Sequence, residues 1–232
     1  MDNEYLALKQ WLDDTRDVPL EAMDAFFNVR LPTYEEHMSR WSAHYQWMAE
    51  LLPEGITSLL DIGCGTGLEL DTIFRRFPSL SVTGVDMAAE MLAALQKKHG
   101  DKDLTLIRAD YFRHPLGENT YDCAVSFETL HHYTAEKKKE LFSSLCRSLK
   151  PGGIYLECDY IAVSQKIEDL VFAECSRRRT RDQISSEAFV HFDTPLTLEH
   201  EMEAMRQAGF SSVELVGFLD GDSNTAMILC RK

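Results

Sequence analysis

The sequence predicts a doubly wound α/β fold built on a mostly parallel, seven-stranded sheet. Three observations carry this. Seven short apolar runs, at 58–62, 81–86, 104–109, 122–127, 153–159, 212–216 and 226–231, have the length of strands. Helical stretches at 69–77, 88–99 and 135–149 lie between the first five. The runs are apolar along their length rather than alternating, the pattern of parallel strands covered by helices on both faces. The last two runs are joined by residues 217–225, which have little helical character. A hairpin there is expected to supply an antiparallel C-terminal edge strand.

The first fifty residues read as helices. Tyr5, Leu8, Trp11 and Leu12 recur at helical spacing, and Ala22, Ala25, Phe26 and Val29 do so again after Pro19. Thr33 and Glu36 form a T-x-x-E capping box, which predicts a third helix opening at Thr33. From there Tyr34, Met38, Trp41, Tyr45, Met48 and Leu52 repeat every three or four residues as one apolar face, flanked by His37 and His44. Pro53 and Gly55 end it. Residues 164–200 form an insertion after the fifth strand, holding an arginine run from Ser176 to Arg181 and the stretch His191-Phe192-Asp193-Thr194-Pro195. Insertions at the carboxyl ends of such strands commonly build the substrate side of a site. With no repeat and no linker, residues 1–232 are expected to form one domain.

Charge narrows the function. The 232 residues carry a formal charge of −14, and a chain so acidic repels nucleic acid unless basic residues are concentrated somewhere. Only the arginine run qualifies. It reads either as a solvated or salt-bridged helix end, or as a site for a small anion. The six cysteines are scattered without a C-x-x-C pair, as small core residues in a reducing compartment. The start lacks the charge and apolar blocks of a signal peptide, and no apolar stretch is long enough to span a bilayer. A cytoplasmic protein, monomeric or homodimeric, with no nucleic-acid or membrane partner, is expected.

The first strand runs into Gly63, Gly65 and Gly67, with Asp61 just upstream. Glycines between a strand and its helix let the chain turn sharply and approach a ligand closely. The spacing is G-x-G-x-G. The dinucleotide fingerprint G-x-G-x-x-G fails because position 68 is Leu, and no lysine completes a phosphate loop. Asp61 suits an ammonium group better than a pyrophosphate. Asp86 ends the second strand, where a carboxylate accepts both hydroxyls of an unphosphorylated ribose or caps the following helix. Met87 offers an apolar surface to a flat base, and Asp110 and Tyr111 stand where an exocyclic amino group would sit. An ammonium head, a free ribose and an adenine together describe S-adenosylmethionine.

At this point the chain resembles the class I S-adenosylmethionine-dependent methyltransferases. The matching stretches are LLDIGCGTG, VTGVDMAAEML, IRADYF, YDCAVSFETLHHY and LKPGGIYLECDY, within residues 57–160. More narrowly, it is similar to the small-molecule members whose N-terminal helices, here residues 1–52, form a lid. The resemblance implies that Asp61, Gly63, Cys64 and Gly65 line the methionine part of the cofactor. It implies Asp86 at the ribose, Met87, Asp110 and Tyr111 around the adenine, and Phe127 over the cofactor.

Methyl transfer needs in-line approach, exclusion of water and sometimes a base. Candidate polar groups near the sheet's carboxyl edge are Glu128, His131, His132, Asp159, Tyr160, His191 and Asp193, with Tyr34 and His37 on the lid. Of these, His132, His37, His191 and Tyr34 are the candidate catalytic residues. A metal held by His37, His132, His191 and Asp193 lacks any local ligand spacing, so none is expected. The leading expectation is transfer to a small-molecule acceptor. RNA methylation is disfavoured by the acidity, and Phe127-Glu128-Thr129 replaces the Asn/Asp-Pro-Pro-Tyr/Phe motif used on planar nitrogens. Protein methylation and non-catalytic binding of the cofactor stay open, whereas a nicotinamide reductase fails on the glycine spacing.

Overall fold

A computed structural model describes residues 2–219 and 221–232. In chain order its elements are α1 (Asp2–Asp14), β1 (Glu21–Ala22), α2 (Met23–Met38), a 3-10 turn (Ser39–Trp41), α3 (Ser42–Leu51), β2 (Ser58–Ile62), α4 (Leu68–Arg76), β3 (Ser81–Asp86), α5 (Ala89–His99), β4 (Leu104–Arg108), β5 (Tyr121–Phe127), α6 (Ala135–Ser148), β6 (Leu149–Tyr160), α7 (Gln165–Arg181), β7 (Val190–His191), α8 (Leu198–Gln207), β8 (Ser212–Gly217) and β9 (Thr225–Arg231).

Seven strands form one sheet in the order β4-β3-β2-β5-β6-β9-β8. Neighbours from β4 to β6 pair in parallel, and β9 runs antiparallel to both β6 and β8. The C-terminal antiparallel strand therefore lies one place in from the edge, with β8 outermost. Side chains alternate between two cores, as the two-residue period of a strand requires. Leu59, Val82, Val125 and Leu156 face Met48, Leu70 and Leu95 from α3, α4 and α5. Leu60, Val85, Ala124 and Ile228 face Leu141, Leu145 and Met205 from α6 and α8. Strand order reverses at β2, between β3 and β5, and that is where an open parallel sheet leaves a crevice.

The N-terminal region departs from expectation in two respects. Helix α2 starts at Met23 and runs through Pro32 and Thr33. Thr33 is therefore mid-helix, where no free amide needs a cap, and its hydroxyl donates back to the Arg30 carbonyl at 3.4 Å. The expected capping box does not form. The long apolar stripe is also split by the 3-10 turn before α3 begins at Ser42. Inward on α2 are Met23, Phe27, Tyr34 and Met38, whereas Val29 is 73% exposed.

The insertion supplies α7 and the short strand β7, which pairs antiparallel with β1. Its arginines are taken up by structure. Arg177 and Arg178 bond Glu174 at 2.7 Å, Arg178 also reaches the Leu12 carbonyl and Thr15, and Arg181 bonds Asp182 and the Val18 carbonyl. The run ties α7 to the end of α1, as a salt-bridged helix end.

Candidate active site

Three left-handed glycines make the turn from β2 into α4. Gly63, Gly65 and Gly67 have φ of 68°, 48° and 70°, values that strain a residue with a Cβ. Their surroundings differ. A Cβ on Gly67 would lie 2.4 Å from Leu95 Cδ1, and one on Gly63 would collide with Thr129. One on Gly65 would meet only the Tyr34 hydroxyl, at 3.6 Å, and the Gly63 carbonyl, at 3.9 Å. Gly65 thus faces open space under α2, while Gly67 is packed against the core.

Asp86 ends β3 beside this turn. Its carboxylate accepts the Gly65 N–H at 3.0 Å and the Ala88 N–H at 2.8 Å. Burial raises its pKa despite these donors. Each oxygen takes one of these bonds, so lone pairs remain for a ligand. A crevice of about 580 Å³ up to its open mouth begins here, walled by Phe27, Tyr34, Met87, Tyr111, Phe127 and Tyr133, with Glu128 and His132 at its polar end.

Behind the glycine turn lie two buried acids, of which the sequence marks only Asp61 as a site residue. Asp61 is 1% exposed and Glu69 6% exposed. No hydrogen-bond donor reaches either Asp61 oxygen, Glu69 Oε1 or the nearby Thr66 Oγ1. Burial and the adjacent Glu69 charge push the Asp61 carboxyl well up, and burial raises Glu69. Two buried acids without donors are costly unless a cation or protons compensate them. Glu69 and Cys64 line a small cavity under Tyr34 and Phe127, next to the main crevice. Glu69 stands two residues past the last glycine of the motif, and that proximity is its only signal in the sequence.

At the far end, the turn after β5 carries its own network. Glu128 has φ 47°, a left-handed value outside glycine that concentrates at functional sites. Its carboxyl is buried with Oε1 unpartnered and is pushed up to about 8 by burial, opposed by the His131 charge. His131 Nδ1 lies 2.5 Å from Asp159 Oδ1, and Asp159 is fixed in turn by the Leu130 and Tyr160 N–H groups. Burial alone would lower the His131 pKa; the Asp159, Asp193 and Glu128 charges outweigh it and hold the imidazolium up to about 9. His132 is the converse. Burial and the neighbouring His131 charge push it well down, so its ring is neutral. Its Nδ1 lies 3.3 Å from the Phe192 carbonyl and 3.3 Å from Asp193 Oδ1. Donation of Nδ1–H to the carbonyl leaves Nε2 as the ring's proton acceptor.

The candidate residues fall into two groups. Gly63, Gly65, Asp86, Met87, Tyr111, Phe127, Tyr34 and His132 all line the crevice, and Asp61 and Cys64 lie buried behind it. Three others lie outside its lining. Asp110 turns into its own loop, accepting the Phe112 N–H at 2.9 Å. His37 is exposed and paired with Arg40, because Tyr34 and Met38 hold the inward face of α2. His191 stacks on Phe26 with ring centroids 3.3 Å apart and borders a neighbouring cleft. Met23, Asp24, Met91 and Thr129 also line the crevice; Met91 and Thr129 lie inside the matching stretches VTGVDMAAEML and YDCAVSFETLHHY, whereas no motif in the sequence marks Met23 or Asp24.

The fold is an α/β fold of the methyltransferase type, and comparison with known proteins agrees. Residues 59–153 match the family model described as a methyltransferase domain. The chain thus contains a methyltransferase domain. Demethylmenaquinone methyltransferase of Chlamydia trachomatis serovar L2 is 30% identical over 149 residues, covering 61% of this chain and 62% of that protein. The biotin biosynthesis bifunctional protein BioHC of Teredinibacter turnerae is 28% identical over 165 residues, covering 67% of this chain and 27% of that one. The chain thus spans less than two thirds of the length of these curated relatives. Human N-acetylserotonin methyltransferase, solved in complex with S-adenosylmethionine, superposes with a TM-score of 0.67 at 18% identity, covering 91% of this chain and 59% of that chain. Among the described residues, no helix is long and apolar enough to cross a membrane.

Proposed function

We propose that this chain transfers a methyl group from S-adenosylmethionine to a small-molecule acceptor bound at the His132 end of the crevice. The observation that carries the reading is the buried pair Asp61 and Glu69, without donors, beside a glycine turn that leaves Gly65 facing open space. Those acids fit a cationic methionine head and disfavour a pyrophosphate. Bound there, S-adenosylmethionine supplies a methyl group on a positively charged sulfur.

The chain's own residues do the rest. Asp61 and Glu69 take the ammonium end, Asp86 the ribose hydroxyls, and Met87 and Tyr111 flank the base. Residues 1–52 act as the lid, with Tyr34 closing over Gly65 and excluding water. Residues 57–160 hold the cofactor, and residues 164–200 build the acceptor side. His132 accepts the acceptor's proton at Nε2, oriented through Nδ1 by the Phe192 carbonyl. His131, held as a cation by Asp159, keeps His132 neutral. A small acceptor is supported by the narrow aromatic walls and by the net charge of −14, which opposes a polyanion. Relatives named for demethylmenaquinone and N-acetylserotonin point the same way.

The test is incubation with methyl-labelled S-adenosylmethionine and fractionated extracts, following label into small molecules, protein and RNA separately. Label confined to small molecules supports the reading, and label only in RNA or protein overturns it.

A further inference from the structure

A second cavity adjoins the first. It lies between α1 and α7, holds about 970 Å³ up to its open mouth, and is lined largely by apolar side chains including Leu8, Leu12, Val171 and Phe192. Trp11 and Val18, also part of its lining, are 54% and 53% exposed. They are two of the six large apolar side chains exposed among the described residues. Exposed apolar groups gathered at the mouth of an apolar cavity mark a binding site more often than scattered ones do.

One layer of rings separates this cleft from the reaction crevice. His191, stacked on Phe26, has its ring 4.9 Å from the ring of His132. Phe27, which lines the crevice, meets His191 edge-on at 6.0 Å. Asp193 belongs to the cleft lining while its Oδ1 lies 3.3 Å from His132 Nδ1. The wall is made of side chains carried by α2, which lines both cavities, and by β7, which lines the cleft.

The charges in the cleft select among occupants. Its arginine, Arg178, is engaged by Glu174 at 2.7 Å, Thr15 at 2.9 Å and the Leu12 carbonyl. Glu21 and Asp193 add carboxylates, and His191 is pushed down to about 4 by burial, so it offers no positive charge at neutral pH. An anion finds no free partner there.

We propose that the methyl acceptor is an amphiphile without negative charge, with a hydroxyl or amine group meeting His132 and an apolar body crossing the His191–Phe26 wall into the cleft under α1. This rests on the methyltransferase reading only for the role of the polar group. Occupation of the cleft is open to a direct binding test.

Calorimetry with 4-alkylphenols of increasing chain length, and with 4-alkylbenzoates as anionic counterparts, measures that occupation without turnover. Each methylene buried in an apolar site tightens binding about fourfold. The phenol series should follow that slope until the cleft is filled, with the benzoates weaker throughout. Val18→Glu, at the exposed rim, and Leu8→Trp, which fills the cleft from a half-buried position, should flatten the slope. A flat series on the native chain, an unchanged slope in both variants, or benzoates as tight as phenols would overturn the proposal. S-adenosylhomocysteine binding, measured on the same samples, reports the methyltransferase reading independently. A normal phenol slope without it sinks that reading alone, and its presence beside a flat series sinks the cleft alone.

Discussion

His132 and Phe192 are sixty residues apart in sequence, and the ring Nδ1 of one lies 3.3 Å from the backbone carbonyl of the other. The contact joins the turn after β5 to the insertion and decides which nitrogen is free. His132→Gln should lower kcat by about 10²- to 10⁴-fold, the usual worth of a positioned proton acceptor. Cofactor affinity, read by calorimetry, should stay within about twofold. Equal losses in both quantities would make His132 a cofactor ligand instead.

Asp86 bridges the Gly65 and Ala88 amides and keeps lone pairs for a ligand. Asp86→Ala should weaken S-adenosylhomocysteine binding by about 1.5–3 kcal/mol, the scale of hydrogen bonds to a charged group. If the folded variant binds normally, Asp86 is only a cap for α5.

The glycines should separate into two kinds. Gly67→Ala places a Cβ against Leu95 and should destabilise the fold by about 1–3 kcal/mol, as overpacking does. Gly65→Val should leave a cooperative unfolding transition but abolish cofactor binding, because its side chain enters the ligand's space. Normal binding by Gly65→Val would reduce the motif to a structural turn.

Stability should fall on the alkaline side. His131 is held up to about 9 and Glu128 to about 8, each above its ordinary value. A group whose pKa is raised by folding stabilises fully below its unfolded pKa and loses that contribution as pH rises through the folded one. Urea midpoints should therefore drop as pH rises, the Glu128 part between about pH 4.5 and 8 and the His131 part between about pH 6.5 and 9. The His131 part is on the order of 3 kcal/mol, and it should be missing from the limb of His131→Gln. Asp159→Asn, which leaves the imidazolium without its closest partner, should cost about 3–5 kcal/mol at pH 7. A flat alkaline limb in the native chain would contradict the charged state assigned to His131.

Much of this fold is legible in the sequence, for a physical reason. Strands buried on both faces, such as the one holding Leu59, Leu60 and Ile62, are apolar along most of their length, and the glycine turn needs backbone angles that other residues resist. Phase on an exposed lid helix is a weaker signal. The stripe Ala22, Ala25, Phe26 and Val29 reads as inward, yet Met23 and Phe27, each one residue on from members of that stripe, line the crevice. His37 is misplaced on the same helix, since its ring lies toward solvent beside Arg40. Contacts between distant segments leave no local trace at all. The His132–Phe192 bond, the left-handed Glu128 and the facing of Asp61 with Glu69 depend on how the strands and the insertion come together.

We propose that the crevice beside Gly65, Asp86 and the Asp61–Glu69 pair takes a cationic nucleoside. Competitive calorimetry of S-adenosylhomocysteine and NAD on the native chain and on Glu69→Gln tests this most directly. S-adenosylhomocysteine should bind the native chain with micromolar or tighter affinity, and about tenfold more weakly in Glu69→Gln from the lost charge-assisted contact. NAD should show no measurable binding. Tight NAD binding, or an affinity for S-adenosylhomocysteine that ignores Glu69, would contradict it.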